Sequence, residues 1–170
     1  MKHYFWSRKF IASGFGTGLI PFMPGSFAAL IGVMLHIIII LTLPPELHII
    51  PLIILFCWFS LQNYKLTYWA VDHWDNEDPC QFVLDEIAGY LFTIIIFISF
   101  ECVFKLPDYN IWYMVILNFV LFRIFDMIKL PGARWVDKNM FGPSGILLDD
   151  LISAIYAALT TYFIFYKELL

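Results

Sequence analysis

The sequence contains little charge for its length. Of its 170 residues, 14% are Asp, Glu, Lys or Arg and 61% are hydrophobic, whereas soluble domains are about 25% charged. A small soluble domain cannot bury that much apolar surface, because a large share of the residues of a small domain lies at its boundary with water. The composition therefore excludes an ordinary soluble domain. It predicts a membrane protein that forms one unit over residues 1–170.

Cysteine and net positive charge are also scarce. Cys57, Cys80 and Cys102 are widely spaced and include no CxxC pair, so we expect free, buried thiols. The net charge of −4 gives no reason to expect a nucleic-acid partner. Residues 1–10 mix basic and aromatic side chains and lack the apolar core of a signal peptide. We expect this segment to lie along the membrane surface.

Long apolar runs, in contrast, are abundant. A membrane-spanning helix needs about 20 mostly apolar residues, and several segments meet that requirement. They are separated by a turn at Pro44-Pro45, an acidic loop over 71–79 with a solvated His73, and a longer connection over 129–144. The sequence predicts an all-α integral membrane bundle of about five transmembrane helices. The predicted spans are 26–43, 47–69, 82–100, 111–128 and 145–166.

The positive residues indicate an orientation. Most of the ten Lys and Arg residues lie on or near the face shared by the N-terminus and the 71–79 and 129–144 regions. Because Lys and Arg concentrate in cytoplasmic loops, we place this face and the N-terminus in the cytoplasm. Only Lys105 and Lys167 lie toward the other face. The eight on the cytoplasmic side are Lys2, Arg8, Lys9, Lys65, Arg123, Lys129, Arg134 and Lys138.

The same topology brings acidic residues together. Asp85 and Glu86 begin the third predicted span, Asp126 ends the fourth, and Asp149 and Asp150 begin the fifth. Since neighbouring spans are antiparallel, all three helix ends meet at one membrane face. The sequence predicts an acidic site at the cytoplasmic boundary.

A structural explanation competes with a functional one. The helix dipole favours acids in a first turn by about 0.3–1 kcal/mol each, which would explain the four acids at helix starts. The negative charge of Asp126 is disfavoured near a helix C-terminus, where the dipole is also negative. Asp126 would instead pair with Arg123 or Lys129, each three residues away. Ionisable residues within spans more often mark functional sites, and we favour that interpretation.

Carboxylates are ligands for a metal ion and basic side chains are partners for a phosphate group, and both kinds of residue are expected at this membrane face. Mg²⁺ prefers carboxylate, water and phosphate oxygens, and Arg123, Lys129 and Arg134 lie where a phosphate would be bound. The glycine-rich segment 13–26 precedes the first span at the same face. Its glycines permit backbone N–H groups to turn toward an anion, and Ser26 is a candidate helix cap.

Three blocks of sequence resemble the phosphatidylglycerophosphatase A family: GFGTGLIPFMPGS at 14–26, VLDEIAGY at 83–90, and FRIFDMIKLPGARWVDKNMFGPSGILLDD at 122–150. The resemblance implies Mg²⁺-dependent hydrolysis of phosphatidylglycerophosphate to phosphatidylglycerol in the bacterial inner membrane. Expected catalytic residues are Asp126, Asp149, Asp150, Arg123 and Lys129. Expected metal ligands are Asp85, Glu86, Asp126, Asp149 and Asp150. Expected substrate-binding residues are Gly16, Thr17, Gly18 and Arg134.

The chain departs from the family pattern in its loops. Lys129-Leu130-Pro131-Gly132 stands where Lys-Pro-x-Pro is usual, and Gly142-Pro143-Ser144-Gly145 where Gly-Gly-x-Gly is usual. The charged positions are kept. Phosphatidyl transfer from a CDP-linked lipid is disfavoured, because its Asp-Gly-x₂-Ala-Arg block is missing. A divalent-cation transporter or channel using the same acids remains the alternative; it would need polar groups across the full membrane depth. An aspartyl-phosphate intermediate also remains open.

Overall fold

The computed structural model describes residues 2–104, 106 and 108–167, with side chains from residue 7 onward. Within these residues the chain is helical and contains no strand, and five helices are long and apolar enough to cross a membrane. The predicted all-α bundle is confirmed. Lys105 and the Lys2 side chain, both used in the charge count, lie outside the described residues. The helices are α1 (Lys2–Ala12), α2 (Pro24–Thr42), α3 (Ile49–Trp74), α4 (Leu84–Phe104), α5 (Ile111–Ile128), α6 (Ala133–Asn139) and α7 (Pro143–Lys167).

The helix ends differ from the predictions in two connections. Helix α3 continues to Trp74, so the start of the predicted 71–79 loop is helical. His73 is therefore on a helix, and its ring stacks on Trp69 with centroids 4.8 Å apart. The long 129–144 connection contains α6, a short helix that packs on α7. On α6, Val136 is buried.

Ser26 does not cap α2. The helix begins at Pro24, after Met23 in the left-handed region at φ 48°. Proline suits the first helical position, because its missing N–H would have no partner there and its φ already matches the helix. Ser26 consequently lies in the first turn, where its hydroxyl meets the side chain of Arg123.

Helix α4 is the central element of the bundle. It packs against α2, α3, α5 and α7, most extensively against α7. Tyr90, Leu91, Ile94 and Phe97 on this helix are fully buried. Neighbouring helices therefore hold α4 in place from several sides. Because Asp85 and Glu86 lie in its first turn, the packing of α4 also determines where these two carboxylates lie.

The thiols are free, as predicted, but they are exposed rather than buried. Cys57 lies on α3 and Cys102 on α4, both membrane-spanning helices. The outer surface of such a helix faces lipid, which is as apolar as a protein core. A thiol there gains nothing from burial, so the rule for soluble proteins does not apply.

Candidate active site

Carboxylates from two helices converge at one end of the bundle. Asp85 and Glu86 lie in the first turn of α4, whereas Asp150 lies in the second turn of α7. Ligand oxygens of these three residues all lie within 4.8 Å of one another. Because the dipole effect fades beyond the first turn, it does not account for Asp149 and Asp150. The predicted convergence of α4 and α7 is present in the structure.

Glycines permit this close approach. A Cβ at Gly89 on α4 would lie 2.5 Å from Cζ of the Phe122 ring and 3.3 Å from Cβ of Asp150. A Cβ at Gly25 on α2 would collide with the Glu86 carboxylate and lie 2.9 Å from Nη2 of Arg123. Both positions therefore require the smallest residue for the charged groups to reach one another.

The carboxylates are buried without full hydrogen bonding. Asp85, Asp149 and Asp150 are 8%, 7% and 3% exposed. An ionised group removed from water is strongly disfavoured unless it is paired or coordinates a metal. Carboxylate oxygens at this spacing fit a hard divalent cation, which would relieve both the repulsion and the missing bonds. Among the described residues, the buried oxygens that lack a hydrogen-bond partner include Asp85 Oδ1, Glu86 Oε2, Asp149 Oδ1 and Asp150 Oδ2.

Arg123 connects α5 to α2. Its Nη1 lies 2.7 Å from Oδ2 of Asp126, one turn along the helix, and its Nε donates to the Ser26 hydroxyl at 3.3 Å. These contacts hold the guanidinium against the first turn of α2, beside Glu86. Asp126 is thus an ion-pair partner in this structure and is not one of the three carboxylates grouped within 4.8 Å.

Lys129 lies at the end of α5 with a left-handed φ of 50°. Its Nζ donates to Oδ2 of Asp149 at 2.9 Å and also to Asp137 on α6. Burial, the largest single influence, lowers the pKa of Lys129, but the hydrogen bonds and charges of the two aspartates outweigh it and raise the pKa. The ammonium is therefore fully charged at neutral pH.

Several of these groups line an open cleft of about 290 Å³ between α2, α4, α5, α7 and the loop before α4. Asp126 and Asp150 lie outside its lining. Asp78 and Cys80 contribute to its wall from that loop. Loss of bulk water raises the pKa of Asp78, although the charge of Lys129 opposes the change. The charged residues that line the cleft are Asp78, Asp85, Glu86, Arg123, Lys129 and Asp149.

The turn over residues 13–19, the first part of the glycine-rich segment, lies outside this cleft lining. The N–H groups of Gly16, Thr17 and Gly18 donate to carbonyls of Ser13 and Gly14 within the turn. A Cβ at Gly18 would strike the backbone of Gln81, so this turn packs under the loop before α4. In the structure, the turn supports that loop. Substrate binding by Gly16, Thr17 and Gly18 stays a prediction.

Arg134 also lies outside the cleft lining. It lines a neighbouring pocket along α6, which shares Lys129 with the cleft, and it donates to the Ile128 carbonyl at 3.2 Å.

Sequence reasoning missed three contributors. Asp78 appeared only within the acidic loop over 71–79, Asp137 within the connection over 129–144, and Gly25 within the glycine-rich segment 13–26. The acidic composition of 71–79 was a signal for Asp78, whereas the contact of Gly25 with Glu86 requires the tertiary structure. Asp137 had no comparable signal, because its pairing with Lys129 depends on the packing of α6 on α7.

Comparisons with known proteins decide the family. The phosphatidylglycerophosphatase A family profile matches residues 10–165. The chain belongs to this family, whose members are phosphoric monoester hydrolases. The resemblance seen in the sequence is confirmed. No solved structure matches the chain.

Three named relatives align along nearly the whole chain. A Bacteroides thetaiotaomicron protein, provisionally named a phosphatidylinositol-3-phosphatase, is 31% identical over 92% of both chains. Phosphatidylglycerophosphatase A of Escherichia coli is 30% identical over 91% of this chain and 81% of its own. The Haemophilus influenzae protein of the same name is 30% identical over 92% of this chain and 87% of its own.

Proposed function

We propose that this protein hydrolyses the phosphate monoester of phosphatidylglycerophosphate to phosphatidylglycerol and phosphate, with Mg²⁺ as cofactor. The observation that supports this most directly is the group of carboxylates formed by Asp85, Glu86 and Asp150, flanked by Arg123. It combines ligands for a hard cation with a partner for phosphate. Two relatives whose names state this activity align over most of the chain.

The metal would be held by Asp85, Glu86 and Asp150, the three residues whose oxygens are close enough to share one ion. When bound, it would polarise the phosphate and lower the pKa of a coordinated water. The metal-ligand roles predicted for Asp126 and Asp149 are less well supported, because each is already paired with a cation, Arg123 or Lys129.

The two cations would act on the phosphoryl group. Arg123 presents a planar guanidinium suited to two phosphate oxygens, and its contacts with Asp126 and Ser26 fix its direction. Lys129 would offset the charge that develops as the ester bond breaks. Asp149 would keep the ammonium in place, since it accepts a hydrogen bond from Lys129 at 2.9 Å.

The reaction would take place at the cytoplasmic face of the bacterial inner membrane. The carboxylates lie at one end of helices that are apolar enough to span a bilayer, and the excess of Lys and Arg at that end favours the cytoplasm. The acyl chains would stay in the bilayer while the headgroup enters the cleft. Exposed Met127, which lines the cleft, supplies an apolar border for such a lipid.

The test is phosphate release by the purified protein in neutral detergent. Phosphatidylglycerophosphate and phosphatidylinositol 3-phosphate are offered in parallel, because the relatives' names include both activities. We expect release from phosphatidylglycerophosphate that stops with chelator and returns with Mg²⁺. Preference for the inositol lipid would correct the substrate. Absence of release from either lipid by folded, Mg²⁺-supplied protein would contradict the proposal.

A further inference from the structure

Charges around Lys129 are sorted by sign into two pockets. The pocket on one side is lined by Glu77, Asp78, Asp137 and Asp149 and by no Lys or Arg. The pocket on the other side, of about 570 Å³, is lined by Lys129, Arg134 and Lys138 and by no Asp or Glu. Lys129 belongs to both the latter pocket and the cleft with the carboxylates. A basic subsite is thus continuous with the candidate active site.

Helix α6 produces this separation. Arg134 and Lys138 are four residues apart and share one face of the helix. Asp137 is paired with Lys129 and lines the acidic pocket instead of the basic one. The hydrogen bond from Arg134 to the Ile128 carbonyl holds its guanidinium beside the end of α5. The geometry therefore presents two exposed cations together, while the only acid of α6 is paired with Lys129 and lines the other pocket.

The basic pocket lies where a lipid headgroup would lie. Ile128 and Trp135 line it and are 54% and 62% exposed. Tryptophan is enriched at the headgroup level of membranes, and the isoleucine ends a spanning helix. An anion in this pocket would have apolar surface next to it for acyl chains and the acidic cleft on its other side.

We propose that this pocket, with Arg134 and Lys138 as its cations, binds the phosphodiester of the lipid substrate while the phosphomonoester occupies the cleft. This rests on the proposed function, since phosphatidylglycerophosphate carries both groups, joined by a glycerol unit. Lys129 lies between the two sites. Selectivity would then arise from recognising two phosphates at a fixed separation, rather than one monoester alone.

Two other lipids each carry only one of these two phosphate groups. Phosphatidylglycerol has the diester without the monoester, and phosphatidic acid has the monoester without the diester. Each is added as an inhibitor of phosphatidylglycerophosphate hydrolysis in neutral-detergent micelles, with matched acyl chains. The variant is the double substitution Arg134→Gln and Lys138→Gln. The control is Arg8→Gln with Lys65→Gln, which removes the same two side-chain types from a different pocket, between α1 and α3.

We expect the Arg134/Lys138 variant to bind phosphatidylglycerol and substrate about tenfold more weakly, the loss typical of one charge-assisted hydrogen bond. Inhibition by phosphatidic acid should be unchanged, and the control should alter neither. Equal weakening of both inhibitors would reveal general attraction of anionic lipid and overturn the subsite. Unchanged inhibition by phosphatidylglycerol, or none in the wild type, would overturn it too. A wild type that hydrolyses no lipid phosphate would instead remove the proposed function, and the subsite with it.

Discussion

The two ends of the bundle are packed in opposite ways. At the cleft end, buried carboxylates face one another and several of their oxygens have no hydrogen-bond partner in the described structure. At the other end, the rings of Phe97, Tyr109 and Phe165 lie 5.0–6.1 Å apart in edge-on or tilted contacts. The aromatic end satisfies its own packing, whereas the cleft end leaves buried carboxylate oxygens without partners among the described residues.

This difference predicts that activity depends mainly on the cleft end of the bundle and stability mainly on the aromatic end. Aromatic pairs contribute about 0.5–1.5 kcal/mol each beyond burial. Buried charges without partners reduce stability, and replacing them by neutral groups is often neutral or stabilising. We therefore expect substitutions at the cleft end to abolish activity while the fold persists. Substitutions at the aromatic end should weaken the fold and leave the chemistry of the remaining folded protein intact.

The largest effect is expected for Asp150→Asn. It removes a charge from the three-carboxylate group, and phosphate release should fall by about 1,000-fold, as when a group that stabilises the transition state is lost. Thermal stability in detergent should be unchanged or higher. Asp72→Asn, at an exposed position near the end of α3, is the matched control. A large loss of stability in Asp150→Asn would show that this carboxylate supports the fold instead.

Phe97→Ala should have the next largest effect, on stability alone. The side chain is fully buried, and its removal leaves a cavity between α4, α7 and Tyr109. We expect a loss of about 2–3 kcal/mol, below the range for soluble cores because lipid provides no hydrophobic driving force between helices. Unfolding in mixed detergent measures it, with exposed Phe163→Ala as control. A reduced kcat in the folded fraction would contradict the separation of the two ends.

Gly25→Ala tests how tightly the cleft is built. The added methyl group would displace the Glu86 carboxylate and press on Arg123, so activity should fall about tenfold, as when a group that orients a metal ligand is disturbed. Gly32→Ala is the matched control, because its Cβ would lie 2.9 Å from the Tyr90 ring, away from the charged groups. It should lower stability and not kcat. Equal activity losses in both variants would point to helix spacing rather than to the cleft.

The smallest effect is expected for Tyr90→Phe. Its hydroxyl lies 3.2 Å from Nδ1 of His36 inside the bundle. Such interhelical hydrogen bonds average about 0.6 kcal/mol in membranes, so the midpoint of detergent unfolding should move slightly and phosphate release not at all. A strong activity loss would mean that polar contacts deep in the bundle take part in function. That result would revive the ion-transport alternative.

Much of the fold follows from simple physical requirements. Apolar runs long enough to cross a bilayer predicted all five spans, and antiparallel connectivity predicted that Asp85 and Asp150 meet. Neither inference needs side-chain detail, because bilayer thickness and chain direction determine both. Helix α6 was not predicted, since a seven-residue amphipathic turn between Pro131 and Pro143 has no comparable signal.

The parts of the site that escaped prediction depend on tertiary contacts. Pairing of Lys129 with Asp137 requires α6 to fold back on α7. The need for glycine at position 25 appears only when Glu86 reaches across from α4. Spacing along the chain placed the charged groups at one face. It could not tell which carboxylates group together and which pair with Arg123 or Lys129.

The central claim is that Asp85, Glu86 and Asp150 hold a divalent cation. Mn²⁺ is the most direct probe, because it accepts the same oxygen ligands as Mg²⁺ and its free form is measured by electron paramagnetic resonance. Purified wild-type protein should bind Mn²⁺ in competition with Mg²⁺, and Asp85→Asn and Asp150→Asn should each weaken that binding strongly, with Asp72→Asn unchanged. Equal Mn²⁺ binding by the wild type and both site variants would contradict the account.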